Sequence, residues 1–247
     1  MNFIKTVFTV IVLSSFINLK AQNTIINNEI GVFLGPVFMQ SDYGESGSFS
    51  SASSNVGMDF GIAYIADFSD SRYTSKVFAW LSDHMKTRLE LSFSKVKLEH
   101  DGIRINEGTQ TQIDQFKGMK GEVKFLNFGG FGEWYFKSLT RSASKFQPYL
   151  LTGISYSSAK SSVSFDPTVG LPSVYTADRV VTGSNNGISF TYGLGARYKL
   201  DDVDLIMEGR LQPFLSDEID GIDTDISADE NNDSLVIFKI GAIFHLN

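Results

Sequence analysis

Gly187-Ile188-Ser189-Phe190-Thr191-Tyr192-Gly193-Leu194-Gly195-Ala196-Arg197-Tyr198-Lys199-Leu200 decides how this chain is read. Ile188, Phe190, Tyr192, Leu194, Ala196, Tyr198 and Leu200 fall on one parity, and Ser189, Thr191, Gly193, Gly195, Arg197 and Lys199 on the other. Successive side chains of a strand point to opposite faces, so this stretch is a strand between two different solvents.

The pattern recurs seven times. Val56 to Phe68 sets Met58, Phe60, Ile62 and Tyr64 against Gly57, Asp59, Gly61 and Ala63, with Ile65 the one large exception. Glu29–Phe38, Lys86–Leu98, Glu122–Phe136, Pro148–Ser158, Val203–Phe214 and Leu235–Leu246 repeat it, which makes eight segments, an even number. A soluble sandwich or lipocalin-like barrel would turn the apolar parity inward, and a membrane barrel would turn it outward to lipid. Three features favour lipid. Many segments reach the 9–11 residues or so of a tilted span. Aromatic residues gather at segment ends, as at Phe38, Tyr43, Phe68, Tyr73, Trp134 and Phe136, where membrane girdles lie. The connections also alternate: Asp201-Asp202 is a tight turn, whereas Met39–Asn55, Glu99–Gly121, Ala159–Asn186 and Leu215–Ser234 are long and polar. Ser69–Met85 breaks the alternation and carries Phe78, Trp80 and Leu81, which suits a short interfacial segment. The expected fold is all-β, an eight-stranded antiparallel transmembrane barrel of the outer-membrane type with a filled interior.

The composition agrees. The 247 residues carry a net charge of −7, 42% hydrophobic and 20% charged residues, 21 Phe, 9 Tyr and no Cys. Disulfide scaffolds, thiolate metal sites and lipoprotein anchoring are excluded, and the acidic balance gives nucleic acid no basic surface. No Gly-x-Gly-x-x-Gly opens a helix after a strand, so nucleotide binding has no support. Residues 1–21 read as a secretory signal peptide: Lys5 precedes an apolar run from Thr6 to Ile17, and Ala21 is a small residue before a cut at Gln22. The barrel is then 22–247, with Ile243 to Asn247 resembling an aromatic closing-strand signal.

The polar parity supplies an interior charge network: Asp59, Glu90, Glu133, Asp204 and Glu208 against Arg88, Arg197, Lys199, Arg210 and Lys239, five against five. An eight-stranded barrel has room for side chains alone, and an unpaired buried charge costs several kcal/mol. Structural pairing is therefore expected, with no catalytic residue and no open pore. Ser216–Ser234 holds eight acids and no base; Asp220, Asp223 and Asp225 could offer oxygens to calcium, although the full calcium-loop spacing is missing. His84, His100 and His245 show no metal-ligand spacing, and His100 ends the third segment, where a lipid-modifying barrel could place a base.

Several stretches resemble a family of small Bacteroidota outer-membrane barrels: Glu29 to Pro36 continuing to Gln40-Ser41-Asp42-Tyr43-Gly44, Gly57 to Tyr64, Ser82 to Ser92, Leu98-Glu99-His100, Phe146-Gln147-Pro148-Tyr149 and Gly195 to Leu200. The opening is also similar to the small barrels that anchor the periplasmic ring of the type IX secretion system. The resemblance implies an outer-membrane barrel partnered by outer-membrane lipid and by secretion or barrel-assembly machinery, and it carries no catalytic residues over to this chain. A surface module that captures calcium or a ligand through its acidic loop is the competing reading, and a lipid-modifying enzyme the third.

Overall fold

In a computed structural model the chain forms a closed barrel, β1-β2-β3-β4-β5-β6-β7-β8, in which β1 pairs antiparallel with β8. Residues 26–41, 43, 49–69, 73, 75–101, 108–170, 172, 183–216, 219–221 and 233–246 are described. The proposed signal peptide, Asp223, Asp225 and Asn247 lie outside them. The strands are β1 Asn27–Gln40, β2 Val56–Asp67, β3 Met85–Glu99, β4 Met119–Tyr135, β5 Phe146–Phe165, β6 Gly183–Tyr198, β7 Val203–Pro213 and β8 Ser234–Leu246. Short helices stand in three connections: α1 Phe49–Ser54, α2 Lys76–His84 and α3 Gln110–Gly118.

The alternation resolves as lipid-facing outside and packed inside. Met58, Phe60, Ile62, Tyr64, Leu91 and Phe128 are exposed on the wall, while Asp59, Arg88, Glu90 and Glu133 are buried. From Val56 to Tyr64 the apolar parity of β2 is continuous, which at about 3.3 Å per residue and a tilt near 40° makes a belt about 20 Å tall. The odd residue Ile65 points inward and is buried. Such a surface is stable in hydrocarbon and would aggregate in water.

Above the belt the polarity inverts while the strand geometry continues. On β3, Phe93 faces out and Ser94 in; two residues on, Lys95 and Lys97 face out and Val96 and Leu98 are buried. β4 does the same, with Lys120 and Lys124 outside and Met119, Val123 and Phe125 inside. These inward residues join Val37, Met39, Tyr43, Ala159, Phe214, Ile219, Leu235 and Ile237 in one apolar cluster at the end of the barrel that carries the long connections. The interior is thus two-storeyed: in the lower part ion pairs are interleaved with a second apolar cluster that includes Phe33, Ile65, Phe131, Leu151 and Ile206, and above it lies the apolar cap, where the strand pattern predicts a salt-bridged plug.

Bulky inner residues need small partners. A Cβ on Gly195 would collide with the ring of Tyr149, a close approach that only glycine allows. Tyr149 can then lie across the barrel and place its hydroxyl in the ionic storey.

The cap contains His100, just beyond β3. Its ring stacks on Tyr43 at 4.7 Å between centroids and meets Phe116 edge-on at 5.2 Å. Burial pushes the imidazole down from 6.5 to about 4, since a charge is disfavoured there. The unfolded chain takes up the proton first, so this contribution is full above about pH 6.5 and falls as pH drops toward 4, by about 3 kcal/mol in all. Amide protection in the Tyr43 and α3 region, corrected for the intrinsic pH dependence of exchange, should fall between pH 6.5 and 4, and His100→Phe should abolish that loss of protection. An unchanged profile in His100→Phe would place the titration elsewhere.

Candidate functional site

The candidate site is the ionic storey itself. Inward parity on seven strands directs its members to the barrel axis, and they meet in two connected tiers.

The tier nearer the termini is built on Glu29 of β1. Lys86 Nζ lies 2.8 Å from Glu29 Oε1 and 2.8 Å from Asp67 Oδ2. Arg197 reaches Glu29 at 2.8 Å, Glu133 at 3.4 Å and Asp204 at 3.4 Å, with its guanidinium over the Tyr135 ring. Arg88 forms the bridge upward. Its Nε donates to Glu133 Oε1 at 2.7 Å, its Nη2 pairs with the same oxygen, and its Nη1 lies 2.7 Å from Glu208 and 3.4 Å from Glu90. Arg210 then joins Glu90 at 2.8 Å to Glu208 at 2.6 Å, and Lys239 joins Glu90 to Asp59, both at 2.7 Å. Tyr135 and Tyr149 donate hydroxyl hydrogens to Glu133 at 2.5 Å and Glu208 at 2.6 Å. Phe33 and Phe131 lie under the guanidinium planes of Arg88 and Arg210.

Nine of the ten sequence-selected charges therefore converge: Asp59, Arg88, Glu90, Glu133, Arg197, Asp204, Glu208, Arg210 and Lys239. Lys199 is a correction. β6 ends at Tyr198, so Lys199 stands half-buried at the mouth and makes no ion pair with a described residue. The five-against-five balance is corrected with it. Glu29, Asp67 and Lys86 are further buried members, absent from the sequence-selected set, which leaves seven carboxylates and five cations among the described interior groups. They share the inward parity of Gly31, Asp59 and Arg88, and counting outward from those positions finds them. The pattern alone misses them because they sit at strand ends, where alternation is too short to be persuasive.

Chemically the arrangement is closed. A general acid or base needs a group free to exchange its proton with a substrate, whereas these carboxylates are held by guanidinium, ammonium or phenol donors inside a packed wall. Glu29, Asp204 and His245 bring three ligand atoms within 4.8 Å of one another. His245, half-open to solvent, points Nδ1 at Glu29 and Nε2 at Asp204, each at 3.4 Å. The three come from β1, β7 and β8, which no linear spacing displays. Lys86 and Arg197 already stand on Glu29, so added positive charge is opposed there. Of the calcium residues, Asp220 is buried and its backbone N–H donates to Asp233 Oδ2 at 3.0 Å.

No protein-family model matches the chain, and no curated protein matches it in sequence. Solved structures do resemble it. A major outer membrane protein from Thermus thermophilus is 11% identical with a TM-score of 0.52, covering 90% of this chain and 99% of that one. Neisserial surface protein A is 12% identical at 0.49, covering 89% and 97%. Ail, the attachment invasion locus protein of Yersinia pestis, is 11% identical at 0.45, covering 90% and 99%. With the closed topology and the apolar belt, the first of these likenesses gives the fold: an eight-stranded antiparallel β-barrel of the outer-membrane type.

Proposed function

We propose that this protein is a non-enzymatic outer-membrane barrel with a structural or accessory role in an envelope secretion or assembly complex. The filled interior carries the reading: with seven carboxylates and five cations interlocked beneath an apolar cap, recognition falls to the two ends and the outer wall. The end that holds the chain termini offers a formed surface. On α2, Val77, Phe78 and Trp80 are 66%, 59% and 57% exposed, and the helix is pinned in place. Asp83 Oδ1 accepts from Thr140 N at 3.1 Å and Thr140 Oγ1 at 2.7 Å, and Leu139 N donates to Asp83 O at 2.8 Å. A pinned helix with an outward apolar face suits docking at the periplasmic boundary, and the resemblance to ring-anchoring barrels supports a secretion ring as the kind of partner.

The test is purification in mild detergent after crosslinking. The expected result is co-migration with one large envelope complex, lost in Trp80→Asp while the barrel stays folded. A free monomer after crosslinking, or co-migration indifferent to Trp80→Asp, overturns the proposal.

A further inference from the structure

The outer wall just above the belt carries a patch that the sealed interior leaves unexplained. In register across three strands, Lys95 of β3 lies opposite Lys124 of β4, which lies opposite Lys160 of β5. All three point outward. Directly opposed like charges on one sheet face are destabilising. Lys97 and Lys120 flank the row, and among the described residues within β3, β4 and β5 the carboxylates on the same face are Glu99 and Glu122, so five strand cations meet two strand anions there. One carboxylate, Glu122, is shared between Lys95 at 2.9 Å and Lys124 at 3.1 Å, and Lys120 pairs with Glu99 at 3.2 Å. Lys97 and Lys160 have no ion-pair partner among the described residues. A chain of net charge −7 has thus concentrated a surplus of three positive charges on one stretch of wall.

The depth of the patch is as informative as its sign. Phe93 and Leu126, the last lipid-facing residues of β3 and β4 below it, lie two positions along their strands from Lys95 and Lys124. Two residues of tilted strand rise about 5 Å, and a lysine stem spans apolar surface to carry its ammonium into the polar layer. The row spans about 10 Å at about 4.8 Å between strands. At this height the neighbouring molecules are lipid head groups of the leaflet on the long-loop side.

We propose that Lys95, Lys124 and Lys160 form a docking row for the phosphates of an anionic, phosphorylated lipid of the outer leaflet, whose oxygens relieve the repulsion that Glu122 alone leaves uncompensated. The proposal rests on the outer-membrane placement and is independent of the accessory role.

The test is native mass spectrometry of the full detergent-solubilised chain titrated with bisphosphorylated lipid A, with the same lipid stripped of its phosphates, and with inorganic phosphate. The wild type should hold the phosphorylated lipid about tenfold or more tightly than the stripped one, a gap of about 1.4 kcal/mol or more. The combined variant Lys95→Gln, Lys124→Gln, Lys160→Gln should bring the two together. All three side chains are exposed, so the variant should keep its heat-modifiable gel mobility, which verifies the fold in the same samples. Equal binding of the two lipids by the wild type, an unaffected triple variant, or inorganic phosphate binding as tightly as the lipid each overturns the proposal. Co-migration with an envelope complex is read separately in the same variant, so failure of the lipid row and failure of the accessory role are distinguishable.

Discussion

Replacing Arg88 by methionine will lower the unfolding free energy of the barrel by about 3–5 kcal/mol, the cost of breaking a buried ion network by removing one partner. The Arg88 side chain is 0% exposed and touches Glu133, Glu208 and Glu90 together. Methionine fills much of the same space over Phe33, so the loss is mainly electrostatic: three carboxylates lose a shared cation where water cannot replace it. The measurement is urea unfolding in lipid vesicles, followed by tryptophan fluorescence and by gel mobility. Two comparisons make it specific. Lys95→Met removes an exposed partner of Glu122 and should cost under about 1 kcal/mol. Combining Arg88→Met with Glu133→Gln removes one of the stranded charges and should recover part of the loss, a non-additivity expected only of groups in contact. A loss below about 1 kcal/mol for Arg88→Met would mean that water reaches the network.

Leu91→Arg is the second large effect, and it tests the outside of the same wall. Leu91 is exposed on β3, in register with Ile62 of β2 and Phe128 of β4, midway along the apolar parity from Leu89 to Phe93. An arginine near the bilayer midplane of a barrel costs about 2–4 kcal/mol, whereas an exposed position on a water-soluble protein tolerates it within about 0.5 kcal/mol. Reversible folding into vesicles should show the larger loss for Leu91→Arg and almost none for Lys97→Arg, which lies further along the same strand and above the belt. Equal, small effects at both sites would remove the lipid-facing assignment.

The two experiments address the parts of the molecule that the sequence displays most plainly, and the reason is physical. Between Phe60 and Tyr64, or Ile188 and Leu194, a strand separates hydrocarbon from a polar interior, so parity and polarity coincide. Above Phe93 they separate. Val96 and Leu98 turn inward beneath Lys95 and Lys97, so the rule that apolar means outward fails although the strand goes on. That is why β5 runs to Phe165, well past the expected end at Ser158, and why the apolar cap is invisible to the pattern. Two of the helices have local signals. In α3, Thr109 and Gln112 form a reciprocal capping box, a Thr-x-x-Gln signature present in the sequence. In α2, Val77, Trp80, Leu81 and His84 have helical spacing, and the expected interfacial segment at Ser69–Met85 proves to contain that helix. The ionic storey is legible as a set of residues and illegible as a set of pairs. Arg88 and Glu133, or Lys239 and Glu90, are separated by whole strands, and only barrel closure brings them together.

A packed interior of this kind leaves no ion path through the barrel, and single-channel recording in planar bilayers checks this. Insertion of the purified, heat-modifiable protein should produce no conductance steps above the leak of the bare membrane across the accessible voltage range. Reproducible stepwise openings of the inserted wild-type protein would mean that the interior is not closed, because an ion path would have to run through the cap and between Arg88, Glu90, Glu208 and Arg210.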